Sequence, residues 1–228
     1  MIRKSLLAAT IAIASIAAAP APVANWLTNV VSTPEKSHIV GDPKAKHTLT
    51  EYMSYTCVHC FEFERDGADA IKTQFVGDGR MRFEVRHFIL NIADLTVASA
   101  VHCLPDEDFF RGHAAMLKSY EKWSPKFFNA TDAQRQRYQV GTPKQRLQAV
   151  ASDIGLYDMM AKQGLGRAEL DRCLGNPAIY EPIIAQTDKA AAQGITGTPT
   201  FVFDGARLPT NSAAGVASWL GERLNAPK

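Results

Sequence analysis

Thr48-Leu49-Thr50-Glu51-Tyr52-Met53-Ser54-Tyr55-Thr56-Cys57-Val58-His59-Cys60 decides how this chain folds. Its first eight residues alternate and are rich in β-formers, which predicts a strand. After Cys60, residues Ala68, Ile71, Phe75 and Val76 recur at helical spacing, which predicts a helix from about Val58 to Val76. Cys57 and Cys60 therefore lie at a strand-to-helix junction, two residues apart. Such a pair can close and open a disulfide without moving the backbone.

Further along, Gly77-Asp78-Gly79 stops the helix, and Met81 to Leu90 alternates as a second strand. Strand, helix and strand of this length make a crossover with parallel strands. From about Asp94 to Gln193 the texture is helical, in Leu95 to Leu104, Phe109 to Tyr120, Lys144 to Ile154 and Pro182 to Ala192. Pro105, Pro125, Gly141-Thr142-Pro143 and Asn176-Pro177 punctuate these runs. So much helix exceeds one crossover and reads as an inserted subdomain. Gly197-Thr198-Pro199 then leads into the strand Thr200 to Phe203, Asp204-Gly205 makes a hairpin turn into Ala206 to Leu208, and Asn211 or Ser212 caps a last helix reaching Leu224. The polar segment Ser32 to Lys46 carries only a turn at Gly41-Asp42-Pro43. A CxxC at a strand-to-helix junction in a βαβ pattern is the redox motif of the thioredoxin fold. The fold class is accordingly α/β, a thioredoxin fold interrupted by a helical subdomain. The division is 1–24 leader, 25–93 and 194–228 core, and 94–193 insertion.

The leader rests on Arg3 and Lys4 followed by an uncharged apolar run, Leu6 to Ala19, with Pro20 and Pro22 behind it. This is the layout of a secretory signal peptide, with cleavage expected after Ala24. Removing it leaves 23 basic against 23 acidic side chains, which argues against nucleic acid or an anionic membrane as partner. Export places the chain in a periplasmic, oxidising compartment, where four cysteines favour disulfides.

At the start of a helix, Cys57 meets unpaired N–H groups and the positive end of the dipole, both of which stabilise a thiolate. Cys60, one turn deeper, is expected to be buried, and a protonated His59 adds a positive charge beside Cys57. A low pKa makes Cys57 a good leaving group and the pair an oxidant. Half of a zinc site is the competing reading of CxxC, but no second CxxC or His pair lies at ligand spacing. A merely structural disulfide is another. No metal site and no cofactor is expected, and His38, His47, His87, His102 and His113 read as structural or solvated. Pro199 fits a turn with a cis X-Pro bond that presents the Thr198 backbone to a peptide. Glu64, four residues beyond Cys60, shares its helical face and could carry its proton.

Glu51 to Glu64, which contains Cys57-Val58-His59-Cys60-Phe61-Glu62-Phe63, together with Gly197-Thr198-Pro199-Thr200-Phe201, resembles the DsbA-like thiol:disulfide oxidoreductases of bacterial envelopes. The resemblance covers roughly Val40 to Leu224. It implies that Cys57 is the nucleophile, Cys60 the resolving cysteine, His59 the oxidising histidine and Pro199 the cis-proline, with Glu51 and Glu64 as acidic residues near the site. It also implies transfer of disulfides to reduced or misfolded exported polypeptides, with reoxidation by a quinone-linked membrane partner. The chain departs from the family pattern at Val58, where strong oxidants carry proline, and at Thr198, where they carry valine. About 30 mV corresponds to roughly 1.4 kcal/mol for a two-electron couple, so these positions bear on oxidase against isomerase or reductase. A non-catalytic peptide-binding factor on the same scaffold is the reading from another class. Cys103 and Cys173 are expected to clamp two helices, as in alphaproteobacterial-type relatives, or else to be two buried thiols. A monomer is expected.

Overall fold

The computed structural model describes residues 25–225; the leader and its cleavage point lie outside the described residues. Six strands form one sheet in the order β1-β2-β4-β3-β5-β6. They are β1 (Val30–Ser32), β2 (His38–Val40), β3 (His47–Met53), β4 (Met81–His87), β5 (Thr200–Phe203) and β6 (Ala206–Arg207). β3 and β4 run parallel, with Leu49 opposite Phe83 and Glu51 opposite Val85, and β5 lies antiparallel on the other side of β3. The sheet thus has the expected crossover at its centre. β2 stands within the expected polar segment and β1 just before it, both unforeseen because three residues are too few to display a period.

One continuous helix, α1, covers 58–76, and two of its turns, Glu64–Ala68 and Lys72–Val76, are π-helical. Between β4 and β5 come α2 (Ile92–Val101), α3 (Phe109–Lys118), α4 (Tyr120–Phe128), α5 (Asp132–Arg137), α6 (Pro143–Ile154), α7 (Leu156–Ala161), α8 (Arg167–Leu174) and α9 (Pro177–Ala192). α10 (Ala213–Leu224), with Ser212 as its N-cap, ends the described chain. α4, α5, α7 and α8 are additional to the sequence reading, being too short to repeat an apolar period clearly. Pro125, expected as punctuation, lies inside α4, and α9 begins at Pro177, ahead of the expected start at Pro182. Thr142 does punctuate: its hydroxyl accepts from Gln145 N, and Pro143 occupies the first turn of α6, where no N–H is needed.

α2 is the pivot of the insertion. Ala93, Val97, Ala98, Ala100 and Val101 are all buried, and the alanines let α6 and α9 pack close. Its end is tied to α8 by a Cys103–Cys173 disulfide that spans 70 residues. On the other side of the molecule Gly67 of α1 has no room for a side chain, since a Cβ there would lie 2.8 Å from that of Ala213 on α10.

Four of the five histidines read as structural or solvated meet in one buried cluster around Phe109. His38 stacks on Phe109 with ring centres 3.6 Å apart, and His113 lies near-parallel to the same ring at 5.8 Å. His87 Nε2 lies 2.9 Å from His102 Nε2, and Tyr55 Oη lies 3.0 Å from His113 Nδ1. Burial keeps all four imidazoles neutral, holding His38 at about 4 despite Asp106 and His87 at about 3. The unfolded chain binds protons at these groups from about pH 6.5 downward while the fold refuses them, so each costs stability as the pH falls. In urea titrations from pH 5.5 to 4, the protein is expected to lose roughly 1.4 kcal/mol per pH unit more than a His87→Phe variant. Replacing Cys103 and Cys173 together by alanine is expected to lower the unfolding free energy by about 4 kcal/mol in the loop-entropy account. Denaturant midpoints measure that loss.

Candidate active site

β3 ends at Met53 and a buried turn, Ser54-Tyr55-Thr56, delivers the chain to α1. Asp94 fixes this turn: its carboxylate accepts from Tyr55 N at 2.8 Å and from Leu90 N at 2.9 Å. Asn91 caps α2 and also donates to Thr56 Oγ1 at 2.8 Å, while Tyr120 Oη donates to Thr56 O. Cys57 follows as the N-cap of α1, with extended backbone and its carbonyl accepting from Phe61 N. Its thiol is half-buried, Cys60 is fully buried, and both are free thiols.

The two sulfurs are electrostatically opposite. Cys57 is held down at about 5, first by a hydrogen bond from the Cys60 thiol, which outweighs burial, then by the Thr198 side chain and the N–H groups of Cys60 and His59. Burial pushes the Cys60 thiol well up, and its bond to Cys57 and the nearby Glu51 push it further. This is the asymmetry expected from one sulfur facing a helix N-terminus and one sealed behind it.

His59 does not reach the thiol with its ring. The imidazole is exposed, and its Nδ1 lies 2.8 Å from Glu62 Oε2, a contact that raises its pKa. What His59 gives Cys57 directly is its backbone N–H. The Thr198–Pro199 bond is cis, and the Thr198 carbonyl lies 3.3 Å from Cys57 Sγ, placing the cis-proline turn against the thiol.

Glu51 and Glu64 are both buried, and each keeps one carboxyl oxygen without a partner among the described residues. Burial raises the pKa of each, and for Glu51 the neighbouring Glu64 adds to it. Lys72 Nζ lies 3.8 Å from Glu64 and 3.4 Å from Asp69, which in turn meets Lys118 at 2.8 Å. A file of carboxyls and amines thus leads from beneath Cys60 to the surface. Lys72 escapes the sequence reading although it lies on the face of Glu64 two turns on. Asp94 escapes it too, although its place three residues after a capping Asn91 is a recognisable helix start. Among the described residues no group of three or more His, Cys, Asp or Glu is arranged to hold a metal, and no helix is long and apolar enough to cross a membrane.

The family model described as thioredoxin matches residues 33–221. The crystal structure of a protein-disulfide isomerase from Novosphingobium aromaticivorans is 41% identical, covers 83% of this chain and 98% of its own, and superposes with a TM-score of 0.80. Alpha-DsbA1 of Wolbachia pipientis is 25% identical, with 82% and 92% coverage and a TM-score of 0.61. A protein from Rickettsia typhi named as a protein-disulfide oxidoreductase is 26% identical over 181 residues, which are 78% of this chain and 58% of the relative. The chain thus spans about three fifths of the length of that curated relative.

Thr198→Val removes a hydrogen bond that favours the thiolate. Titrating the ultraviolet absorbance of the Cys57 thiolate is expected to show its midpoint raised by about one pH unit.

Proposed function

The chain belongs to the thioredoxin family, in its DsbA-like branch, and from this we propose that it is a thiol:disulfide oxidoreductase that donates disulfides to exported polypeptides through Cys57. The observation that carries this reading is the contrast between a half-buried Cys57 held near 5 and a sealed Cys60 pushed up. A substrate thiolate attacks Sγ of Cys57 in the Cys57–Cys60 disulfide. The substrate–Cys57 bond forms and the Cys57–Cys60 bond breaks, leaving the electron pair on Cys60. A buried thiolate there is unfavourable, and Glu51 and Glu64, whose raised pKa values keep protons on them, are placed to supply its proton. A second substrate thiolate then attacks the substrate sulfur of the mixed disulfide, and Cys57 leaves as a stabilised thiolate. The substrate ends oxidised to a disulfide and the enzyme pair reduced.

His59, Thr198 and Pro199 act as positioning residues in this scheme: His59 through its N–H, Thr198 through its side chain on the thiolate, and Pro199 by holding the Thr198 backbone beside Cys57. A substrate segment pairing at that turn would run along the shallow cleft of Pro199, Phe201, Leu208 and Asn211. The Cys103–Cys173 disulfide and the leader at 1–24 support a periplasmic location. We further assign 25–93 and 194–228 to the core and 94–193 to the insertion, and take the chain to act as a monomer reoxidised by a quinone-linked membrane partner.

An isomerase or reductase role on the same site is the second reading. It is favoured by Thr198 before the cis-proline and by the likeness to a protein named as an isomerase. Equilibrating the Cys57–Cys60 pair with glutathione separates the two. A potential near the −120 mV of DsbA supports donation, one near the −180 mV of protein disulfide isomerase supports isomerisation, and one near the −270 mV of thioredoxin supports reduction. Cys57→Ser is expected to abolish oxidation of a reduced, unfolded protein; activity that survives the replacement removes the mechanism.

A further inference from the structure

The sheet order puts β4 and β5 on opposite sides of β3, so the flank of Cys57 away from Pro199 belongs to β4 and the insertion. A groove opens there. It starts at Asn91, whose side chain holds Thr56 beside Cys57. It continues between α2, α6 and α9, walled by Ile89, Ile92, Leu95, Leu147, Tyr180 and Ile184, with a volume of about 530 Å³. A second lobe of about 500 Å³ extends it past Phe127, Phe128 and Tyr138. Ile92 and Arg146 line both lobes and form the waist between them.

Two observations give this groove an occupant. Exposed large apolar side chains line both lobes, Ile184 at 39% in the first and Phe128 at 54% in the second, and Leu90, next in sequence to the lining residues Ile89 and Asn91, is 50% exposed. At the waist, Arg146 Nε is buried and has no hydrogen-bond partner among the described residues. The other charges at the lining are already provided for, since Arg135 pairs with Asp132 at 2.7 Å and Glu181 stands exposed to water at the rim. Half-buried, with its Nε unpartnered, the Arg146 guanidinium lacks a counter-charge among the described ion pairs, and a carboxylate meets such a group with strong, paired hydrogen bonds. An open, two-lobed apolar channel with one such cation at its middle suits an extended apolar chain that carries one acidic side chain.

We propose that this groove docks the reduced polypeptide substrate, seating an acidic residue on Arg146 while flanking apolar side chains fill the two lobes. The proposal rests on the oxidoreductase reading, because the groove's continuity with Cys57 is what selects the substrate as occupant. It makes Arg146 a specificity residue for acidic, apolar segments on the cysteine's flank opposite Pro199.

Labelled apolar peptides with serine at the cysteine position, bearing either glutamate or lysine at one site, test this by fluorescence anisotropy on the full protein. The wild type is expected to bind the glutamate peptide about tenfold more tightly than the lysine peptide. Arg146→Gln is expected to erase that preference, Arg146→Glu to invert it, and Ile184→Ser to weaken both peptides. Glutathione exchange at Cys57 is expected to be unchanged in all three variants, which also shows that they are folded. Equal binding of the two peptides by the wild type, or a preference that persists in Arg146→Glu, overturns the proposal. A concentration-dependent dimer abolished by Ile184→Ser overturns it as well, giving the groove to a second copy. If serine peptides bind as expected but the matching dithiol peptides are not oxidised, docking stands and the oxidoreductase reading falls.

Discussion

Everything at the catalytic end hangs on the carboxylate of Asp94. Fully buried, it accepts from the N–H of Tyr55 just past β3 and from that of Leu90 just past β4. It also sits in the first turn of α2, so one side chain joins the two central parallel strands to the helix that founds the insertion. Burial pushes its pKa up to about 7 although its hydrogen bonds pull the other way. Without that carboxylate the buried N–H of Tyr55 would be unpaired, at a cost of about 1–3 kcal/mol, and the Leu90 turn would lose its tie to α2. The turn that aims Cys57 is therefore set by a residue 37 positions away in sequence, and the insertion is part of the site's foundation.

Above that foundation the chemistry comes from unequal burial. Cys57 and Cys60 share one helical turn, yet one faces N–H groups and partial solvent while the other faces Glu51 and the hydrophobic core. The two buried carboxyls and Lys72 belong to the same logic. Burial raises the pKa of Glu51 and of Glu64, which in the proposed scheme places protons beside the sulfur that needs one when the disulfide opens. The exposed pair His59–Glu62 works at the rim, where solvent screens it.

Much of this was legible in the chain. Alternation over Thr48–Tyr55, the helical recurrence to Val76 and the Asp204-Gly205 turn were enough for the centre of the sheet, because their periods are long or their turn chemistry is specific. Cys57, Cys60, Thr198 and Pro199 were readable as local motifs, and the structure brings them together. β1 and β2 were too short to show a period, and α5, all polar but for one alanine, is held by the Thr131 capping box rather than by an apolar stripe. The histidine cluster was illegible for a different reason. His38, His87, His102 and His113 come from β2, β4, the end of α2 and α3, and only the closed fold assembles them around Phe109. Burial of Glu64 was equally beyond the sequence, since its helical face could have met water as well as protein.

The Cys103–Cys173 clamp closes a circle between what the molecule is made of and what it is proposed to make. On the proposed function, a new copy with both thiols unpaired and 70 residues of chain between them would be a client of the reaction it later performs. Its maturation would then feed on itself, each finished copy shortening the wait of the next.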